Sequence, residues 1–284
     1  MMRIVEARRP KPLQFIVNRF VRIAPVYYLC TLIFFVVAMA VPSSSRGDAT
    51  VGVLLKSLLF LPHGDAPFYP LLFVGWTLNY EAYFYALLAV LLFAPISGFR
   101  MLGAMALLLF VPVALTRTGA FAQQPVSFYG ALMVFEFVIG MGLALIYPQL
   151  RRVPPIAGAT AILAGLLGMI VGDWFPEAER LLTYGLPATL VVTAALVFER
   201  HGLRARSRLA LTWGAVSYSL YVTHPLVVSA FNLIAKRFIM PQSLEAVGFV
   251  LLAIVGAFLF AYVTYRGFER PVDGMLRQLS GRAG

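Results

Sequence analysis

Gly75-Trp76-Thr77-Leu78-Asn79-Tyr80-Glu81 places a carboxylate inside an apolar run, 71–94, that is long enough to cross a bilayer. An ionised side chain at that depth is costly, so a chain that keeps one pairs it or uses it. On a helix Thr77, Glu81 and Tyr85 stand at i, i+4 and i+8 and share one face. That face is polar and suits a bundle interior better than lipid. Glu81 lies ten residues in from Leu71, about 15 Å of helical rise, which sets it near the midplane.

The rest of the chain has the same character. It is 284 residues long, 61% hydrophobic and only 12% charged, with a mean hydropathy of +0.85. A soluble domain of this size would carry roughly twice that charged fraction. The net charge of +11 raises the question of nucleic acid, but the distribution of the charges answers it differently. The single Cys30 excludes a disulfide framework and a cysteine metal site. His63 and His201 fall in loops, so the three histidines suggest no metal cluster. The arginine-rich residues 1–22 have no apolar core and do not read as a cleavable signal.

Eight apolar spans are expected, at 24–41, 71–94, 101–116, 129–147, 156–172, 182–198, 211–233 and 248–265. The third is short, about 24 Å of rise, and is kept because Arg100 and Arg117 bracket it. The run 51–61 is shorter still, carries Lys56, and reads as an interfacial or re-entrant piece. Seventeen of the 23 Lys and Arg residues fall on one side of this arrangement. They occupy the N-terminal segment, the loops at Arg100, Arg151 and 200–208, and the tail. The positive-inside rule makes that side cytoplasmic, with both termini on it and the 43–70 loop outside. The expected fold is an all-α integral membrane bundle of about eight transmembrane helices. It forms one domain over 1–284, with a cytoplasmic basic segment at 1–23 and a cytoplasmic tail at 266–284. No internal repeat is evident, which weighs against an inverted-repeat transporter.

Three ionisable residues lie within the spans: Glu81, Glu136 and His224. Glu81 is either a structural carboxylate capped by Tyr and Thr hydroxyls or a functional group, and the default for an intramembrane acid is function. Glu136 lies in Phe135-Glu136-Phe137-Val138-Ile139-Gly140-Met141-Gly142, where Gly140 and Gly142 are expected to admit a close helix. Pairing and catalysis are equally open to it. His224 belongs to a stripe with Ser217 and Tyr221 at i, i+4 and i+7, and Pro225 follows it. A neutral imidazole there is a general base or a hydrogen-bonding partner of Glu81. Arg19 and Arg22, at i and i+3 by the cytoplasmic entrance to the first span, anchor the helix at the head groups or grip phosphate. No phosphate loop or nucleophile elbow is present in the sequence.

Five segments in order resemble the membrane-bound acyltransferase-3 family. They are 15–28 with the double arginine, 57–62 followed by 74–85, 135–141, 218–225, and Phe268-Glu269-Arg270-Pro271. The flavour is that of the bacterial exopolysaccharide O-acetyltransferases. The resemblance implies an enzyme of the bacterial inner membrane. It would take an acyl group, expected to be acetyl, from cytoplasmic acyl-CoA and deliver it to a hydroxyl of a polysaccharide or lipid-linked sugar. Acyl-CoA is then a donor co-substrate, with no permanently bound cofactor and no nucleic-acid partner. Arg19 and Arg22 become the donor's phosphate clamp, and Glu81 and His224 the catalytic candidates. Trp76, Asn79, Tyr80 and Tyr221 become the sugar-binding candidates, with Tyr83 beside them as a further stacking ring.

One departure stands out. Family members normally open with two further spans carrying a basic residue and, about eleven positions later, a His. Eleven positions before His63, His201 and His224 stand Gly52, Leu190 and Trp213, none of them basic. An N-terminally shortened member is expected, with little acetyl transfer until the missing spans are supplied. The alternative is a non-enzymatic transporter or flippase of a sugar-containing lipid, using Glu81 and His224 as a proton relay.

Overall fold

A computed structural model describes residues 9–41, 49–62, 69–119, 123, 125–238 and 244–279. Parts of the expected outer loop 43–70 (with His63), the first residues of the basic segment and the last of the tail lie outside them. Among the described residues all regular structure is helical. In chain order the helices are α1 (Pro12–Ala40), α2 (Val51–Leu58), α3 (Gly75–Leu91), α4 (Gly98–Arg117), α5 (Val126–Tyr129), α6 (Phe135–Ile146) and α7 (Pro155–Gly172). Then come α8 (Leu186–Arg200), α9 (Arg208–Phe238), α10 (Leu244–Thr264) and α11 (Arg270–Leu279). π-helical turns at Leu181–Gly185 and Tyr265–Glu269 lead into α8 and join α10 to α11.

Among the described residues five helices are, by length and composition, long and apolar enough to cross a membrane: Pro12–Ala40, Gly98–Arg117, Pro155–Gly172, Leu181–Arg200 and Val247–Leu276. The short span expected at 101–116 thus lies within a helix of 20 residues. The other three expected spans fall on elements of a different kind. Helix α3 has 17 residues and α6 only 12, entered through a 3₁₀ turn at Leu132–Val134. Helix α9 is long, but its middle is the polar run from Ser217 to Pro225. These are the three helices that carry Glu81, Glu136 and His224; α3 and α6 are too short to cross as helices alone, whereas in α9 it is the polar run that lowers the apolar signal. Helix α1 runs unbroken for 29 residues through Arg19, Arg22 and Pro25.

The chain divides into two compact units. The first comprises Met1–Ile16 and Tyr83–Ala205. Its α7 and α8 meet through glycine. Gly158, Gly165 and Gly172, seven residues apart, are buried, and a Cβ on Gly165 would stand 2.6 Å from the Pro187 carbonyl oxygen. On Gly172 it would stand 2.7 Å from that of Thr183. Such spacing lets two backbones approach where side chains would hold them apart. The close approach expected at Gly140 and Gly142 is not found. A Cβ on Gly140 would meet nothing within 4 Å, and one on Gly142 only Leu102, at 4.0 Å. Helix α4 buries Met101, Met105, Leu109 and Val113, one residue per turn. Phe84 stacks on Phe137 and Tyr83 on Tyr129, at 4.5 and 4.1 Å between ring centroids.

The second unit comprises Val17–Ala82 and Arg206–Gly284. Its interior is polar in a way the first is not. Thr31, Ser57, Asn79, Ser219 and Thr223 are the buried polar residues among the described ones, and all five belong to this unit. The turn after α2 contains Phe60, whose φ of 54° is left-handed, and its ring stacks on Tyr27 and Tyr28. The Tyr28 hydroxyl donates to the Leu58 carbonyl at 2.7 Å.

Candidate active site

The site is built where α3 and α9 meet in the second unit. Gly75 opens α3 directly against Tyr27 of α1, where a Cβ would stand 2.4 Å from the phenol oxygen. That absence of a side chain sets α3 close to α1. Two residues on, the Thr77 hydroxyl is hydrogen-bonded to that of Tyr221, which also donates to the Val74 carbonyl at 2.9 Å. One turn further along α3 the Glu81 carboxylate, half-buried, acts electrostatically on the phenol of Tyr218. The helices therefore run antiparallel here, Thr77 against Tyr221 and Glu81 against Tyr218. Tyr218 in turn donates to the Ile23 carbonyl of α1 at 2.6 Å. Ser219, fully buried, donates to Glu269 in the π turn before α11. Helix α9 is thus the hub that holds α1, α3 and the π turn in register.

His224 continues the same stripe beyond Tyr221. It lies six residues, about 9 Å of rise, from Tyr218, so Glu81 and His224 stand toward opposite ends of one polar face. Its Nδ1 lies 3.2 Å from the Leu220 carbonyl oxygen. A carbonyl only accepts, so Nδ1 is the donor of this bond, and in a neutral imidazole the Nε2 lone pair would be the one open to a general base. A half-buried imidazole, a carboxylate and phenol hydroxyls along one face can orient a hydroxyl, take its proton and stabilise developing charge.

The remaining candidates are distributed around this face. Asn79 is fully buried and its amide donates to the Leu61 carbonyl at 3.2 Å, which braces the segment before α3. Tyr80 is buried, edge-on to the half-buried Trp76 at 6.1 Å. Beside Tyr218 and Ser219, exposed Arg22 lines a cleft of about 180 Å³ between α1 and the segment from the π turn into α11. Glu269 and Asp273 line it too, and Arg19 does not. Glu136 belongs to the first unit, where Arg180 donates to its carboxylate at 2.5 Å. Pairing is therefore its observed role, at the first turn of α6, where a carboxylate also suits the helix dipole. Sequence reasoning missed Glu269 as a site group. Its signal was present, since Phe268-Glu269-Arg270-Pro271 carried part of the resemblance without a role.

The comparisons with known proteins bear on the family of the chain. The acyltransferase domain family model matches residues 5–266. The exopolysaccharide production protein ExoZ of Rhizobium meliloti (strain 1021) is 32% identical over 294 aligned residues, spanning 99% of this chain and 89% of that protein. No solved structure matches the chain. With a family match over nearly its whole length and helices suited to a bilayer, the chain belongs to the acyltransferase-3 family and is an integral membrane protein.

Proposed function

We propose that this chain is an acyl-CoA-dependent O-acyltransferase of the bacterial inner membrane, moving an acetyl group to a hydroxyl of an exopolysaccharide or its lipid-linked precursor. The observation that carries the reading is the polar face joining α3 to α9, from Glu81 through the Thr77–Tyr221 bond to His224, inside a member of an acyltransferase family. ExoZ, named for exopolysaccharide production, supports the class of acceptor. The charge distribution supports eight crossings with both termini cytoplasmic, α3, α6 and α9 being the polar crossings.

In this reading the donor's phosphates engage Arg19 and Arg22 from the cytoplasmic side, where an arginine-rich face concentrates anions. The acyl group reaches the α3–α9 face. His224 Nε2 accepts the proton of the acceptor hydroxyl as its oxygen attacks the thioester carbonyl. The C–S bond breaks, the imidazolium returns its proton to the leaving sulfur, and CoA departs as the thiol. Glu81 and the phenols orient the acceptor and balance the charge on the imidazolium. Trp76 and Tyr221, both half-buried, offer surfaces for a sugar, while Asn79 and Tyr80 hold α3 in place.

Membranes from cells overexpressing the gene, incubated with radiolabelled acetyl-CoA, distinguish this from the carrier reading. Label should enter carbohydrate as an alkali-labile ester, strongly when the two opening spans of a family member are co-expressed and weakly without them, and membranes lacking the gene should show none. Proton-coupled movement of a sugar lipid with no ester formed would favour the flippase instead.

A further inference from the structure

The cleft at Arg22 is not a simple anion site. It holds one guanidinium and two carboxylates, Glu269 and Asp273, and both Arg22 and Asp273 act electrostatically on Glu269. Its net charge is therefore negative when all three are ionised. Its volume of about 180 Å³ is below the roughly 300 Å³ at which small-molecule pockets begin, so it would take only part of a donor such as coenzyme A. Glu269 is held from behind by Ser219, which donates to Oε2.

We propose that Glu269 is a positioning residue for the donor: it shares the cleft with Arg22 without forming an ion pair to it, competes for the guanidinium while the donor is absent and yields it to a donor phosphate. The inference rests on the donor-binding role given to Arg22 above. Two consequences follow from the charges. The carboxylates both compete for Arg22 and repel the incoming phosphate, so they weaken binding of any anion that has no other contacts. A donor with several phosphates gains elsewhere and enters; inorganic phosphate and acetate do not. The same competition favours release of CoA after transfer. Because Ser219 lies on α9, one turn before Thr223 and His224, the exchange occurs at a residue fixed to the helix that carries the site.

The test is titration of CoA into the full chain in lipid nanodiscs at low ionic strength. Glu269→Gln should tighten CoA binding by about two- to fivefold, the range for a partly exposed charge pair, and the gain should shrink at high salt. Glu269→Asp should return affinity to the original value, which loss of a packing contact would not do. Asp273→Asn, on the same cleft wall, should give a smaller gain in the same direction and serves if Glu269→Gln fails to fold. In an Arg22→Ala background Glu269→Gln should lose most of its gain, leaving only the relief of direct repulsion. Unchanged or weaker CoA binding in both Glu269→Gln and Asp273→Asn, with Arg22→Ala weakening it, would overturn the exchange and leave the phosphate clamp intact. Unchanged binding in Arg22→Ala itself would instead remove the clamp on which the proposal rests.

Discussion

The two units solve the same problem, helix association in an apolar medium, by opposite means. In the first, α7 approaches the backbone of α8 at Gly165 and of the π turn before it at Gly172, with Gly158 against the Phe198 ring. Ion pairs such as Arg117 with Glu179 and Arg180 with Glu136 are at least partly exposed. In the second, the helices are joined by buried hydroxyls and carbonyls, with Tyr218 to Ile23, Tyr221 to Val74 and Thr77, and Ser219 to Glu269. Small residues give close packing without leaving polar atoms in the membrane interior. Buried hydrogen bonds contribute little more stability than that. They do place reactive groups at fixed positions, which glycine packing cannot do. The difference therefore separates scaffold from site.

Substitutions that break one unit should leave the other's signature intact. The largest effect is expected at Gly165. A Leu there would drive its Cβ into the Pro187 carbonyl and the Val191 side chain, at 2.6 and 2.8 Å. The expected loss is about 3 kcal/mol, the upper end for overpacking, seen as a fall in the thermal unfolding midpoint in detergent. The protein that remains folded should still bind CoA normally.

Gly75→Ala is next. The Tyr27 ring must move, since three of its atoms would lie within 3 Å of the new methyl. We expect about 1–2 kcal/mol of destabilisation and, in contrast to Gly165, a fall in transfer activity larger than the loss of folded protein explains. Activity per folded molecule equal to wild type would show that the α1–α3 spacing does not position the site.

Tyr221→Phe keeps the ring and removes the bonds to Thr77 and Val74. Stability should fall by about 0.5–1.5 kcal/mol. A double-mutant cycle with Thr77→Val should show coupling of roughly 0.6 kcal/mol; additive losses would mean the two hydroxyls do not act on one another. The smallest effect is expected at Glu136→Gln. Its pair with Arg180 is partly exposed, with the two side chains 34% and 47% accessible. Under about 1 kcal/mol should be lost, with transfer activity unchanged.

Much of this contrast was legible in the sequence. The polar faces of α3 and α9 follow from i, i+3 and i+4 spacing alone, and they do face one another through Thr77 and Tyr221. Charged residues that act at a distance were not legible. The Glu136–Arg180 pair joins residues 44 apart, and Ser219 meets Glu269 across 50. Local periodicity carries no information about such partners. The buried glycines of α7 stand as a seven-residue repeat in the sequence, whereas Gly140 and Gly142, two residues apart and expected to admit a close helix, meet almost nothing. A glycine reveals close packing only once its neighbour is known. The shortness of α3 and α6 was hidden for a related reason. Apolar residues continue past their ends into turns, so hydropathy reads on where the helix has stopped.

The central claim is that acyl transfer belongs to the second unit's polar face. The most direct test sets its carboxylate against that of the first unit. Glu81→Gln and Glu136→Gln, each introduced at the chromosomal locus, should be compared by the ester content of the exopolysaccharide, measured by NMR, with protein levels matched by immunoblot. The account predicts at least about a tenfold loss of ester for Glu81→Gln, in the range for removing a group that assists proton transfer, and an unchanged content for Glu136→Gln. Full ester content with Glu81→Gln, or its loss with Glu136→Gln alone, would contradict it.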